Sequence, residues 1–140
     1  MGDYAIRMQF DIGADADSVR RALDTEPGIA AWWSSRTSLD GNKLRVSFPD
    51  VPQAFEFAVT DGRDRLDWVT GGFPPWWAGT TIRWQAGPNP DGPGTRLMFI
   101  HDGYEPDNPV IPIVTPAWAQ ILLRLKGYAE TGTRQPFFDF

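Results

Sequence analysis

The sequence predicts an α+β fold: a curved antiparallel sheet of about six or seven strands around a long C-terminal helix, with two short helices after the first strand. Three observations carry this. Apolar residues alternate near the start of the chain. Short alternating segments, separated by turns rich in Gly, Pro and Asp, fill the middle. Apolar residues at three- and four-residue spacing follow position 114. A sheet with one wet face needs a cover for the other, and the last helix is the only element long enough to provide it.

Residues 4–12 read as the first strand, with Tyr4, Ile6, Met8, Phe10 and Ile12 on one face and Arg7, Gln9 and Asp11 on the other. Residues 15–31 read as helix. Asp15 or Asp17 caps the start, and Val19, Ala22 and Leu23 form an apolar stripe. Pro27-Gly28 is expected to break this helix in two. Two hairpins follow. Residues 34–39 and 43–48 turn at Asp40-Gly41-Asn42, and residues 53–60 and 65–70 turn at Asp61-Gly62. The Gly71-Gly72-Phe73-Pro74-Pro75 stretch must be a connection, because proline cannot sit in a central strand. Residues 80–86 and 95–101 read as the last strands. Residues 114–131 read as the long helix, with Thr115-Pro116 as cap and first turn and Gly132 as C-cap. The aromatic tail 134–140 is expected to lie back on the core. The whole chain, 1–140, reads as one domain, with no internal repeat and no linker.

The chain has 140 residues, no cysteine, and 13 Lys and Arg against 18 Asp and Glu. Disulfides, thiolate metal sites and a cysteine nucleophile are therefore excluded. Nucleic acid is not an expected partner, because phosphate binding needs a concentrated basic surface, and the basic spots Arg20-Arg21 and Arg63/Arg65 sit among carboxylates. No run of about 18 apolar residues is present, so no membrane insertion is expected. The opening Met-Gly-Asp-Tyr-Ala does not read as a secretory signal, and a cytoplasmic location is expected. Seven Trp, nine Phe and three Tyr give 14% aromatic residues, which implies bulky walls that either enclose a cavity or simply fill the core between sheet and helix.

Four stretches resemble the activator-of-heat-shock-ATPase-homology family, within the START-like SRPBCC superfamily. They are VRRALDTEPGIAAWW (19–33), FEFAVTDGRDRLDW leading into WWAGTTIRW (55–84), GTRLMFIHDGY (94–104) and WAQILLRLKGYAETGTRQP (118–136). The resemblance implies the helix-grip fold, with a cavity between sheet and long helix that holds apolar or aromatic ligands in some relatives. It also implies ring cyclisation in a few of them.

Trp33, Phe55, Phe57, Trp68, Trp77, Trp84, Phe99, His101, Trp118 and Leu122 are the expected cavity walls. Gly71-Gly72 would let Trp76 and Trp77 form a lid. His101 is the only histidine. Neighbouring strand residues face opposite ways, so Asp102 is badly placed to orient it, and a structural hydrogen-bonded role is expected. No catalytic residue, metal ligand or cofactor is assigned. Asp67, Arg83 and Arg96 are expected on the outer face as cross-strand partners. The leading expectation is non-enzymatic binding of a small apolar or aromatic molecule. A cyclase or hydrolase in the same cavity is the first alternative. A protein-interaction or homodimerisation module related to chaperone ATPase activators is the second.

Overall fold

A computed structural model describes residues 2–62 and 65–140. Arg63, half of one basic spot noted above, lies outside them. The order is β1 (Tyr4–Ile12), α1 (Ala16–Asp24), α2 (Glu26–Trp32), β2 (Thr37–Asp40), β3 (Lys43–Val46), β4 (Phe55–Asp61), β5 (Arg65–Thr70), a 3-10 turn at Pro75–Trp77, β6 (Thr81–Pro88), β7 (Thr95–Tyr104) and α3 (Ile111–Thr131). The α+β class, the two short helices and the long last helix are all present.

The expected curvature of the sheet is not. The seven antiparallel strands run in the order β1-β7-β6-β5-β4-β3-β2 and do not close or curl strongly around α3. The reason lies at the two edges. The chain leaves β1 through α1 and α2 rather than through a tight turn. α3 then packs against β1, and α2 packs against β2. Helices therefore cover both edge strands, and the sheet stays open.

Two boundaries differ from expectation. The helical break falls at Thr25, whose side chain accepts from the Gly28 amide, and Pro27 lies in the first turn of α2. Proline is tolerated there because first-turn N–H groups have no intrahelical acceptor. α3 begins at Ile111 without a side-chain cap, so Thr115 is a second-turn residue whose hydroxyl donates to the Ile111 carbonyl at 2.6 Å.

The inner face is filled by rings. Trp32, Trp33, Trp68, Trp84, Trp118, Phe57 and Phe99 are all fully buried. Trp33 stacks on Trp32 at 6.0 Å and on Trp68 at 6.0 Å between centroids, and it meets Trp118 of α3 at 5.2 Å. Trp32 donates its indole N–H to the Ala22 carbonyl at 2.8 Å, which ties the two short helices together. The indole N–H groups of Trp68, Trp77, Trp84 and Trp118 have no acceptor among the described residues. An unpaired buried N–H costs about 1–3 kcal/mol. Burying roughly 200 Å² of indole returns about 5 kcal/mol at the usual area coefficient, so apolar burial wins at each position.

Gly28 marks the tightest helix approach: a Cβ there would sit 2.4 Å from the Arg21 carbonyl oxygen and 2.9 Å from the Ala22 Cα. A Cβ on Gly127 in α3 would meet nothing within 4 Å. Gly28→Ala should therefore destabilise the fold by about 1–3 kcal/mol through overpacking. Gly127→Ala should stabilise it by about 0.5–1 kcal/mol through helix propensity. Urea unfolding midpoints of the two variants would show opposite signs.

Candidate functional site

The side chains that open to the surface gather at one end of the sheet, where the first half of α3 crosses β4 and the 3-10 turn. They line a cleft of about 160 Å³. Trp33, Phe48 and Phe55 form its floor, Trp76 and Trp77 one rim, Val114, Ala117, Trp118 and Ile121 the α3 wall, and Phe138 the remaining side. Every one of these residues is apolar. Trp76 is 44% exposed and Trp77 is buried, so one indole of the rim faces outward and the other packs inward.

Of the expected wall residues, Trp33, Phe55, Trp77 and Trp118 meet in this cleft. Phe57, Trp68, Trp84, Phe99, His101 and Leu122 lie in the packed interior behind it. Phe48, Val114, Ala117 and Ile121 were not anticipated. Ile121 was visible as part of the α3 stripe, and Phe48 continues the alternation of Leu44 and Val46, but neither pattern tells a residue that lines a cleft from one that fills the core.

His101 lies one ring layer behind the cleft, with its imidazole 4.8 Å from the Trp77 ring and 6.0 Å from Trp118. Its position comes from β7, whose Thr95, Leu97, Phe99 and His101 all face inward and are buried. The ladder then slips: Asp102 pairs with Ala5 while Tyr104 pairs with Tyr4, which leaves Gly103 as the extra residue of a bulge. Gly103 has φ 100°, and a Cβ there would lie 2.5 Å from the Gly79 oxygen, so only glycine suits the position. The bulge turns Tyr104 to the same side as His101. A lone glycine inside a strand pattern was the available signal for it.

Hydrogen bonds around His101 fix its chemistry. The Thr80 hydroxyl donates to the Trp77 carbonyl at 2.7 Å. Its oxygen is then free to accept from His101 Nε2–H at 2.9 Å and from the Thr70 hydroxyl at 3.2 Å. The Tyr104 hydroxyl donates to Nδ1 at 3.2 Å. The imidazole is thus neutral, with its proton on Nε2 and both nitrogens occupied. Burial drives its pKa from 6.5 down to about 3 and pushes the Tyr104 phenol up. A hydroxyl and an imidazole 2.9 Å apart have the spacing of an activated nucleophile. Here, however, the hydroxyl proton already points at a carbonyl, and neither group reaches the cleft surface.

The charged strand residues face the other way, as expected. Arg83 donates to Asp102 at 2.8 Å and to Asp67 at 3.0 Å, and Arg65 donates to Asp67 at 3.1 Å. The Asp102 bond is the main reason that the Arg83 pKa is raised. Arg96 holds Asp11 at 2.9 Å and Asp91 at 2.8 Å, which keeps the Asp11 carboxyl below its ordinary range. Among the described residues no group of three or more His, Cys, Asp or Glu could hold a metal ion, and no helix is long and apolar enough to cross a membrane.

No family model and no curated protein matches the sequence. Solved structures do. The Aha1 dimer from Colwellia psychrerythraea is similar with a TM-score of 0.79 at 25% identity, over 92% of this chain and 98% of that one. The chain is similar in structure to Aha1. Two further structures share the fold alone. A protein from Staphylococcus saprophyticus matches with TM-score 0.74 at 15% identity, over 97% of this chain and 98% of its own. One from Mesorhizobium loti matches with TM-score 0.71 at 18% identity, over 89% and 95%. The fold of seven strands and three helices is thus similar to that of Aha1. It belongs to the SRPBCC, START-like class anticipated from the four sequence stretches.

The neutral His101 predicts a pH effect of definite sign. Between pH 6.5 and about 3 the unfolded imidazole takes up a proton and the folded one does not. Stability should therefore fall as the solution is acidified through this window, by up to about 1.4 kcal/mol per pH unit. Its contribution is complete above the unfolded pKa. Because the chain has one histidine, its ring NMR signals need no assignment. They should not titrate down to pH 5, and His101→Gln should remove this part of the acid destabilisation.

Proposed function

We propose that the chain is a protein-interaction module related to chaperone ATPase activators, which associates through the apolar surface around its aromatic cleft. The observation that carries this reading is the size and chemistry of the cleft. Ligand sites span roughly 300–1,000 Å³ and place a few polar groups to orient what they bind. This cleft encloses about 160 Å³ and presents no polar group. A sterol or polyketide does not fit such a space. One apolar side chain of a partner does, since its backbone finds hydrogen bonds outside the cleft.

The rim supports the same reading. Trp76 is 44% exposed, and residues 111–123 of α3, which supply one wall, include no charged side chain. Exposed apolar groups clustered around a concave anchor site are a usual mark of an interface. The structural relative from Colwellia psychrerythraea is a dimer, so a second copy of this chain is the first partner to test.

A second reading has one observation in its favour. A dry cavity of about 150 Å³ can hold a benzene-sized molecule, so a single aromatic ring is also a plausible occupant in volume. Catalysis in the cleft has no support, because no ionisable side chain is among its lining residues and His101 is packed behind Trp77 and Trp118.

The test is sedimentation velocity across micromolar to millimolar concentration, together with the ATPase rate of a purified heat-shock chaperone in the presence of the chain. Self-association or a changed rate is expected. Trp76→Ala should weaken either effect about ten-fold, equivalent to about 1.4 kcal/mol, while leaving the thermal midpoint within a few degrees. A strictly monomeric chain that leaves the chaperone rate unchanged, and that releases a stoichiometric aromatic molecule in native mass spectrometry, would transfer the function to ligand binding.

A further inference from the structure

One wall of the cleft belongs to neither sheet nor helix. After α3, Gly132 takes φ 78° and turns the chain back. Residues 131–135 are exposed, and residues 135–140 then lie along the C-terminal end of α2. The amides of Gln135, Phe137 and Phe138 donate to the carbonyls of Ala31, Trp32 and Trp33 at 2.8, 3.1 and 2.8 Å. The Ser35 amide donates back to the Phe138 carbonyl at 2.8 Å, which makes a parallel bridge between Ser34 and Phe138. The last carbonyls of a helix have no intrahelical donor, and the tail fills that vacancy for α2.

Rings complete the seat. Phe138 meets Phe48 edge-on at 5.0 Å and closes one side of the cleft. The Arg36 guanidinium lies 4.4 Å above the Phe140 ring, and that of Arg124 lies 5.3 Å from Phe137. Main-chain hydrogen bonds are indifferent to the sequence of the strand that makes them, and a pocket for one side chain supplies selection. The tail thus displays what the site accepts: an extended segment with a phenyl group placed over Phe48.

We propose that the groove formed by residues 31–35 and the aromatic cleft is a docking site for an extended, phenyl-bearing polypeptide segment, and that residues 134–140 occupy it as an internal competitor. This rests on the reading of the chain as an interaction module and supplies its regulation. A tethered segment competes at an effective concentration on the order of millimolar. A partner gains full access only when the tail leaves, swinging about the exposed stretch around Gly132. Side chains hold the tail as well: Arg36 Nε donates to the Phe140 oxygen at 3.0 Å, the Phe140 amide donates to Ser35 Oγ at 3.0 Å, and Arg124 donates to the Gln135 carbonyl at 3.0 Å, so release breaks these exposed bonds together with the main-chain bonds and ring contacts.

The experiment uses the full chain and a fluorescein-labelled peptide of the tail's own sequence, Arg-Gln-Pro-Phe-Phe-Asp-Phe, read by fluorescence anisotropy. Phe138→Ala alters the tail and leaves the seat intact. The peptide should bind this variant at least ten-fold tighter than the wild-type chain, and the Ser35 amide of the variant, without peptide, should exchange faster with deuterium. Equal binding to both proteins, or no binding to a variant whose Ser35 amide exchanges freely, would overturn the proposal. So would a Ser35 amide that stays protected in the variant at the wild-type level. If Phe138→Ala loses its far-UV circular dichroism, Arg36→Ala with Phe140→Ala loosens the same tail through exposed contacts alone. Peptide binding without any chaperone effect or self-association would sink the interaction-module reading and spare the groove; the reverse result would do the opposite.

Discussion

The fold depends on how Trp33 is held. It is the residue at which α2, the sheet and α3 meet, in contact with Trp32, Phe48, Phe57, Trp68 and Trp118. Rings of this size are rigid and leave little freedom in how the layers seat against one another. They also fill the space in which a related fold could hold a ligand. The cleft survives only at the rim, where the last indoles of the stack run out and the 3-10 turn, α3 and the tail complete the wall.

Behind that wall, polarity is handled without charge. Tyr104, His101, Thr80, Thr70 and the Trp77 carbonyl form a chain of hydrogen bonds in which each donor has one acceptor. The chain links β5, β7 and Thr80, the residue before β6, to the 3-10 turn that carries Trp76 and Trp77. A buried network of this kind stabilises only when all its members are satisfied. An ionised histidine would turn an acceptor into a donor and oppose the Tyr104 hydroxyl directly. The outer face uses the opposite strategy, with Arg83 and Arg96 each shared between two carboxylates across strands.

Much of the fold was legible because two periodicities are strong. The alternation in β1 and β5 and the stripe of Trp118, Ile121, Leu122 and Leu125 placed these elements within a few residues. The failures have physical causes. Pro27 reads as a breaker unless Thr25 is recognised as a cap that moves the helix start forward. Strand curvature cannot be read from side-chain patterns, since an open and a curled sheet show the same alternation. The site was less legible than the fold. The inward positions of Trp68, Trp84 and Phe99 followed from parity, but parity does not separate a residue that lines space from one that fills it. Phe48, Val114 and Phe138 enter the cleft through loops, a helix start and the tail, whose placement is decided by tertiary packing.

All seven tryptophans belong to one connected array. From Trp84 through Trp68, Trp33, Trp118 and Trp77 to Trp76, successive ring centroids lie 5.1, 6.0, 5.2, 5.9 and 5.1 Å apart, and Trp32 joins at Trp33. Indoles this close exchange electronic excitation faster than they emit. Trp76 is the exposed ring of the array, 44% accessible against 4% or less for the other six, so the ring whose surroundings change when the cleft is covered is the one at its mouth. A change in the intrinsic emission of the molecule is thus an optical report from the mouth of the cleft, built into the chain without a label.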